Sequence, residues 1–147
     1  MTTFRETMSD DHRQCDVLFA AVETAVSQQA WAVADGAFLK YERAMLAHFK
    51  AEEELLFPAF ENRTGMRMGP TQVMRNEHAQ MRELIGASRA ALEARDAEDY
   101  SGYAETLLIM MQQHNMKEEN VLYPMCDQQL GDAQASLLPD IGKVLHG

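Results

Sequence analysis

His48-Phe-Lys-Ala-Glu52-Glu53-Glu54-Leu-Leu-Phe-Pro58 returns later in the chain as His114-Asn-Met-Lys-Glu118-Glu119-Asn-Val-Leu-Tyr-Pro124. Asp11-His12 returns at the same offset as Glu77-His78, and Met8/Met74, Leu18/Leu84 and Met45/Met111 fall in the same register. Four of the five histidines thus form two matched sets, each a His followed at one fixed interval by His-x-x-x-Glu. An internal repeat of chemistry-bearing residues implies a pseudo-symmetric site with two equivalent halves.

The repeat sits on helical patterns. Ser9 reads as the N-cap of a first helix, with Asp10 and Asp11 suiting the positive end of its dipole. His12, Cys15, Phe19, Val22 and Val26 follow at steps of three and four, the spacing of one inward face. Gln28-Gln29 reads as a turn. A second helix from about Trp31 to Asn62 carries Tyr41, Met45, His48, Glu52, Leu55 and Ala59 on one stripe, and Pro58 should kink or loosen its last turn. The stretch from Asn62 to Pro70, with two glycines and a proline, is the clearest break. A third helix from about Thr71 to Arg95 turns Met74, His78, Met81, Ile85 and Leu92 inward. A fourth, about Ala97 to Asp127, has the stripe Tyr103, Leu107, Met110, His114, Glu118, Val121 and Met125. From Gly131 onward a short apolar helix (Leu137, Leu138, Ile141, Val144, Leu145) is expected, interrupted near Pro139.

The expected fold is all-α, an up-down-up-down four-helix bundle with a short C-terminal helical tail. Its 147 residues fit one domain, with the bundle over about 9–128 and the tail over 129–147. A formal net charge of −10 argues against nucleic acid and against anionic membrane surfaces. No run approaches the ~20 apolar residues of a membrane span. The charged opening MTTFRETMSDDHRQ lacks the apolar core of a signal peptide, so a cytoplasmic location is expected. Cys15 and Cys126 are too few for a disulfide framework and read as ordinary buried thiols.

Hairpin geometry connects the two sets. With a turn near position 30, His12 and His48 lie equally far from it in sequence, one before and one after. At about 1.5 Å rise per residue, both stand at one height on adjacent antiparallel helices. A turn at Asp96 levels His78 and His114 in the same way. Each His-x-x-x-Glu places an imidazole and a carboxylate on one helix face. A single copy is an ordinary helix-surface pattern. Two copies, each with a level histidine on the partner helix, would bury four imidazoles and two carboxylates that need satisfying together.

A metal centre satisfies them. Six mixed N and O donors exceed what one tetrahedral zinc uses, and oxygen-only cages do not recruit imidazoles. Imidazole plus carboxylate suits iron, with manganese, zinc or copper competing. Two ions, each held by two histidines and both bridged by Glu52 and Glu118, use every donor: His12, His48, Glu52, His78, His114 and Glu118. Such a pair lacks ligands for octahedral coordination, so a bridging oxide or hydroxide and an open position follow.

Other polar residues read differently. Glu53 and Glu119 point about 100° away from Glu52 and Glu118 on an ideal helix, which favours surface or supporting roles over coordination. Asp11 and Glu77 share that difficulty, and helix-terminus charge accounts for Asp11. Arg82 faces the core side, either pairing with a carboxylate or snorkelling at the bundle edge. Tyr41 is within reach of a metal-bound oxygen, but core packing with its hydroxyl satisfied elsewhere is favoured. His146 lies outside the repeat and is excluded as a ligand.

On His12, His48/Glu52, His78 and His114/Glu118, with the EEELLFP and EENVLYP segments, the chain resembles the hemerythrin-like, or HHE cation-binding, family. The likeness runs to about residue 127 and implies a four-helix bundle holding two non-haem iron ions. Oxygen-carrying members have a second histidine where this chain has Arg82, and an aspartate ligand where it has Glu119. The ligand set of four His and two Glu is closer to that of bacterial single-domain members and of the repair-of-iron-centres proteins. The latter carry an additional cysteine-containing domain, to which nothing here corresponds.

The resemblance implies reversible binding or sensing of O2, NO or a related oxidant, or iron handling, with a diatomic or peroxide molecule as ligand. A redox enzyme for peroxide or NO detoxification and a metal-poor helical interaction module are the competing classes. No catalytic residue is assigned. No signalling segment is attached, so a second copy or a separate redox or signalling partner is expected.

Overall fold

The computed structural model describes residues 2–147, and no strand occurs among them. The helices are α1 (Phe4–Ser27), α2 (Trp31–Ala51), α3 (Phe57–Thr64), α4 (Pro70–Glu93), α5 (Ala97–Lys117), α6 (Tyr123–Gln129) and α7 (Gln134–His146). Two π-helical turns, Glu52–Leu56 and Glu118–Leu122, join α2 to α3 and α5 to α6 without a break. The most extensive packing is α1 on α2 and α4 on α5, with α2 against α4 and α1 against α5 and α6.

The first helix starts earlier than its sequence suggests. Thr3, not Ser9, is the N-cap, its hydroxyl accepting from the Glu6 N–H. Phe4 and Met8 extend the buried stripe toward the N-terminus, and Ser9 is buried mid-helix. The Phe4 N–H also donates to the Asp127 carboxylate at 2.7 Å, tying the start of α1 to α6. The repeat governs the hairpin turns as well. Gln29 and Arg95, which stand at matching repeat positions, both adopt positive φ, 54° and 57°. After each, an N–H returns to a carbonyl of the preceding helix, Ala30 to Ala25 and Asp96 to Ala91. This is the wrapped helix ending that closes a tight antiparallel pair.

The π-turns correct the inward stripes. The Phe57 N–H bonds to the Glu52 carbonyl and the Tyr123 N–H to that of Glu118, one position further back than in an α-helix. A proline follows each turn. Pro58 has no N–H for the Glu54 carbonyl, and in a regular α-helix its ring would press on that oxygen. One extra residue in the turn removes the conflict, and from there the buried face moves on by one position. Leu56 and Phe60 are buried where Leu55 and Ala59 were expected, and Leu122 and Cys126 replace Val121 and Met125. Tyr103 and Val121 are exposed, while Tyr100, Ala104 and Met111 fill the face of α5.

Two apolar clusters result. One, around Phe19, Phe38, Tyr41, Ile85, Tyr100 and Leu107, lies toward the hairpin turns. The other, around Phe4, Phe57, Phe60, Met74, Tyr123 and Ile141, fills the opposite end. Each fully buried aromatic side chain contributes roughly 2–3 kcal/mol, and truncating one to alanine costs about 3–5 kcal/mol. Helix α7 lies against that second cluster, packing on α2, α1 and the first π-turn with Ile141 inward. It runs through Pro139 instead of breaking there. The bond the proline forfeits belongs to the carbonyl of exposed Ala135, which water can satisfy. The histidines and ligand-type carboxylates occupy the layer between the two clusters.

Candidate metal centre

All six residues singled out by the repeat converge in that layer, and all are buried. His12 and His48 stand beside each other with ring centroids 4.5 Å apart, and His78 and His114 with centroids 5.0 Å apart. Their Nε2 atoms face two carboxylates. His12 Nε2 is 3.1 Å and His114 Nε2 3.2 Å from Glu118 Oε1. His78 Nε2 is 3.1 Å and His48 Nε2 3.4 Å from Glu52 Oε1. Two donor groups result, Glu52/His78/His114/Glu118 and His12/His48/Glu118, each compact enough to share one ion, with Glu118 common to both.

The other nitrogen of every ring is bound to a second carboxylate. His48 Nδ1 lies 2.7 Å from Asp11, His114 Nδ1 2.8 Å from Glu77, His78 Nδ1 2.6 Å from Glu53 and His12 Nδ1 2.7 Å from Glu119. These are the four carboxylates beside the repeated motifs. Glu53 and Glu119 point off their own helices, as the helical angle requires, and reach histidines on α4 and α1. Asp11 is buried against His48, which replaces its reading as a helix-terminus charge. An Nδ1–H donated to a carboxylate turns Nε2 inward and raises its basicity as a ligand.

Tyr123 belongs to the layer and has no counterpart in the ligand set read from sequence. Its hydroxyl lies 2.7 Å from Glu52 Oε2, 2.9 Å from Glu118 Oε1, and 3.2 Å from both His12 Nε2 and His48 Nε2. The only sequence signal is a mismatch inside the repeat, Phe57 standing in the first copy where Tyr123 stands in the second.

Electrostatics keep His48, His78 and His114 basic. Burial opposes charge on His48, but the Glu52 charge and the Asp11 hydrogen bond outweigh it and hold its pKa well above the ordinary value. His78 is raised against the same burial by its bonds to Glu52 and Glu53. His114, likewise opposed by burial, is raised to about 9 by Glu118 foremost. Glu52, despite complete burial, is held well below the usual carboxylate range by His48 first. Burial and the neighbouring Glu118 and Glu52 charges push the Tyr123 phenol well up.

These donors fit a cation better than they fit one another. Glu52 Oε1, Glu118 Oε2, His78 Nε2 and His114 Nε2 are buried without a properly aligned hydrogen bond. The 3.1 Å contact between His78 Nε2 and Glu52 Oε1 is short but misdirected, as is the 3.2 Å contact of His114 Nε2 with the other Glu118 oxygen, Oε1. Buried polar atoms left unsatisfied are costly, and a shared ion satisfies all four at once.

The remaining candidates are also placed. Arg82 pairs through both terminal nitrogens with Glu53, each at 2.9 Å, and lies over the Phe49 ring. Lys117 pairs with Glu77. The Tyr41 hydroxyl meets Met111 Sδ at 2.8 Å, away from the donors. His146 is exposed near the end of α7. Cys15 and Cys126 are buried and free, their thiols pushed up chiefly by burial. Among the described residues, no helix is long and apolar enough to cross a membrane.

No curated protein and no solved structure matches the chain. A family model does, over residues 3–126, the span from the α1 cap through both repeats to Cys126: the hemerythrin HHE cation binding domain. With that match across most of its length and a buried His/Glu cluster at the matching layer, the chain belongs to the hemerythrin HHE cation-binding family.

Proposed function

We propose that this is a non-haem di-iron protein, an up-down-up-down four-helix bundle that reversibly binds or senses O2, NO or a related oxidant. His12 and His48 would hold one ion and His78 and His114 the other, with Glu52 and Glu118 shared between them. The observation that supports this most is the doubled bonding of every ring: Nε2 toward the central carboxylates, Nδ1 on Asp11, Glu77, Glu53 or Glu119.

Iron, when bound, supplies a reversible change of charge and an exchangeable position for a small ligand. The protein supplies the rest. The four outer carboxylates hold the imidazoles in one orientation and accept their Nδ1 protons. Phe49 and Phe57, stacked on His78 at 4.2 and 5.8 Å, exclude water from one flank. Protons held on the Nε2 atoms must leave as an ion enters, so affinity should fall in acid. Four neutral nitrogen donors against two carboxylates supply less negative charge than a carboxylate-rich ligand set, which favours reversible binding over iron storage. A second copy or a separate redox or signalling protein would receive the output.

Metal analysis of freshly purified protein, joined to visible spectroscopy, tests the proposal. About two irons per chain are expected from the two donor groups. A stoichiometric, reversible spectral change with O2 or NO supports binding. Multiple turnovers of peroxide or NO with a reductant would instead place the chain among redox enzymes. His48→Ala or His114→Ala should abolish stable occupancy, whereas His146→Ala should leave it intact. Iron lost from the His146 variant alone would overturn the site assignment.

A further inference from the structure

The two halves of the centre share their histidines and carboxylates by repeat, but not their aromatic residue. Tyr123 and Phe57 occupy matching positions immediately after the two π-turns. The Tyr123 hydroxyl, on a wholly buried side chain, has four polar neighbours: Glu52 Oε2 at 2.7 Å, Glu118 Oε1 at 2.9 Å, and Nε2 of His12 and of His48 at 3.2 Å each. One phenolic proton cannot serve both carboxylates.

The distances have a simpler meaning. First-row ions hold imidazole nitrogen and carboxylate oxygen at about 2.1 Å, so donors at right angles on one ion stand about 3.0 Å apart. His12 Nε2 to Glu118 Oε1, at 3.1 Å, is such an edge. So are the contacts of the Tyr123 oxygen with His12, His48 and Glu118. The oxygen stands where a further donor to the same ion would stand. In the other half the matching side chain is Phe57, which stacks on His78 at 5.8 Å and brings no oxygen.

We propose that Tyr123 is a metal ligand, serving the ion held by His12 and His48, and that an exogenous small ligand therefore binds on the His78/His114 side. This rests on the di-iron reading above. Coordination replaces the phenolic O–H with an oxygen–metal bond, the proton leaving to solvent. Arg82 stands in this second half as well. Its guanidinium is engaged with Glu53, so it brings no competing donor there.

The test loads the full chain with ferrous iron, oxidises it in air, and records resonance Raman spectra with excitation in the visible absorption band. Ring-deuterated tyrosine identifies any tyrosinate modes. Wild type should show them, and Tyr123→Phe should lose them while retaining both irons. Azide serves as the exogenous probe. It should bind once per chain in wild type, and Phe57→Tyr, which carries the hydroxyl to the opposite half, should remove that binding. Iron-loaded wild type without isotope-sensitive tyrosine modes would overturn the assignment, and that measurement decides even where Tyr123→Phe does not fold. A chain that retains no iron would instead sink the di-iron reading on which the assignment rests.

Discussion

The His12/His48 half and the His78/His114 half share their imidazoles and carboxylates by repeat but differ in one inward aromatic residue and in their outer surroundings. In the second half, Glu53 is neutralised by Arg82 and Glu77 by Lys117. In the first, among the described residues, Asp11 and Glu119 have no lysine or arginine bound to them. Asp16 stands at the repeat position of Arg82, its carboxyl raised by burial foremost, and also by Glu119 against the opposing pull of His12. A surface pocket of about 600 Å3, lined by Arg5, Arg13 and Glu119, opens on this side. A duplicated helical hairpin therefore fixes the histidines and central carboxylates by symmetry, while residues one layer out are free to make the two donor groups unequal in charge and in access.

Removing what the halves share should have the greatest effect. Glu118 belongs to both donor groups and is wholly buried. Glu118→Ala should empty both positions together, read as loss of both metals per chain, with helical circular dichroism as the check on folding. Retention of one metal would show that Glu118 serves a single half.

The outer carboxylates act on one half each. Removing a carboxylate that orients a ligating histidine typically lowers metal affinity about 10–100-fold. Asp11→Asn should do this to the His12/His48 position alone and Glu53→Gln to the His78/His114 position alone, resolved by stepwise cobalt titration followed by absorption. Equal loss at both positions from either change would mean that the halves act as one unit.

What the sequence made legible follows from symmetry. The constant offset of the repeat delivers the six central residues, the hairpin turns and their common height, because each is a matter of residue type and count. The π-turns carry no compositional mark except matched prolines at 58 and 124, so an ideal helix misplaces every buried residue after them by one. Leu56 for Leu55 and Leu122 for Val121 are that error. The outer bonds were hidden for another reason. Asp11 to His48 and Glu119 to His12 cross between helices, and periodicity within one helix says nothing about which neighbour a side chain meets. Tyr123 was legible only as the place where the repeat fails.

Acid and alkali act on the halves together. His114 is raised from 6.5 to about 9, so in metal-free protein its stabilising contribution is complete below pH 6.5 and is lost as pH rises through about 9. His48 and His78 are raised too and add to the same alkaline loss. Glu53 is lowered from 4.5 to about 2, so its contribution is complete above pH 4.5 and is lost as pH falls through about 2. Metal-free protein should therefore melt at its highest temperature between these ranges and progressively lower toward pH 9. Metal-loaded protein should not show the alkaline fall, because bound metal replaces the protons whose loss causes it. Identical alkaline profiles with and without metal would remove the histidines as its source.

Arg82 and Asp16 separate the halves at one repeat position. Arg82 is 40% exposed and its partner Glu53 23%, so water screens their attraction. Arg82→Met keeps the stem over Phe49 and deletes the charge, and should cost less than about 1 kcal/mol of stability. At this chain length that is a fall of roughly 2–4 °C in Tm. Its effect on metal should exceed its effect on folding. With the guanidinium gone, Glu53 places its full charge against His78 Nδ1 and strengthens that ring as a donor. Cobalt affinity should rise at the His78/His114 position and stay level at the other. Because Asp16 holds the matching place in the first half, Asp16→Asn is the mirror experiment: it removes a negative charge near His12 and should weaken cobalt binding there. Opposite signs from two substitutions at one repeat position would show that the field around the donors, beside the difference between Tyr123 and Phe57, distinguishes the two halves.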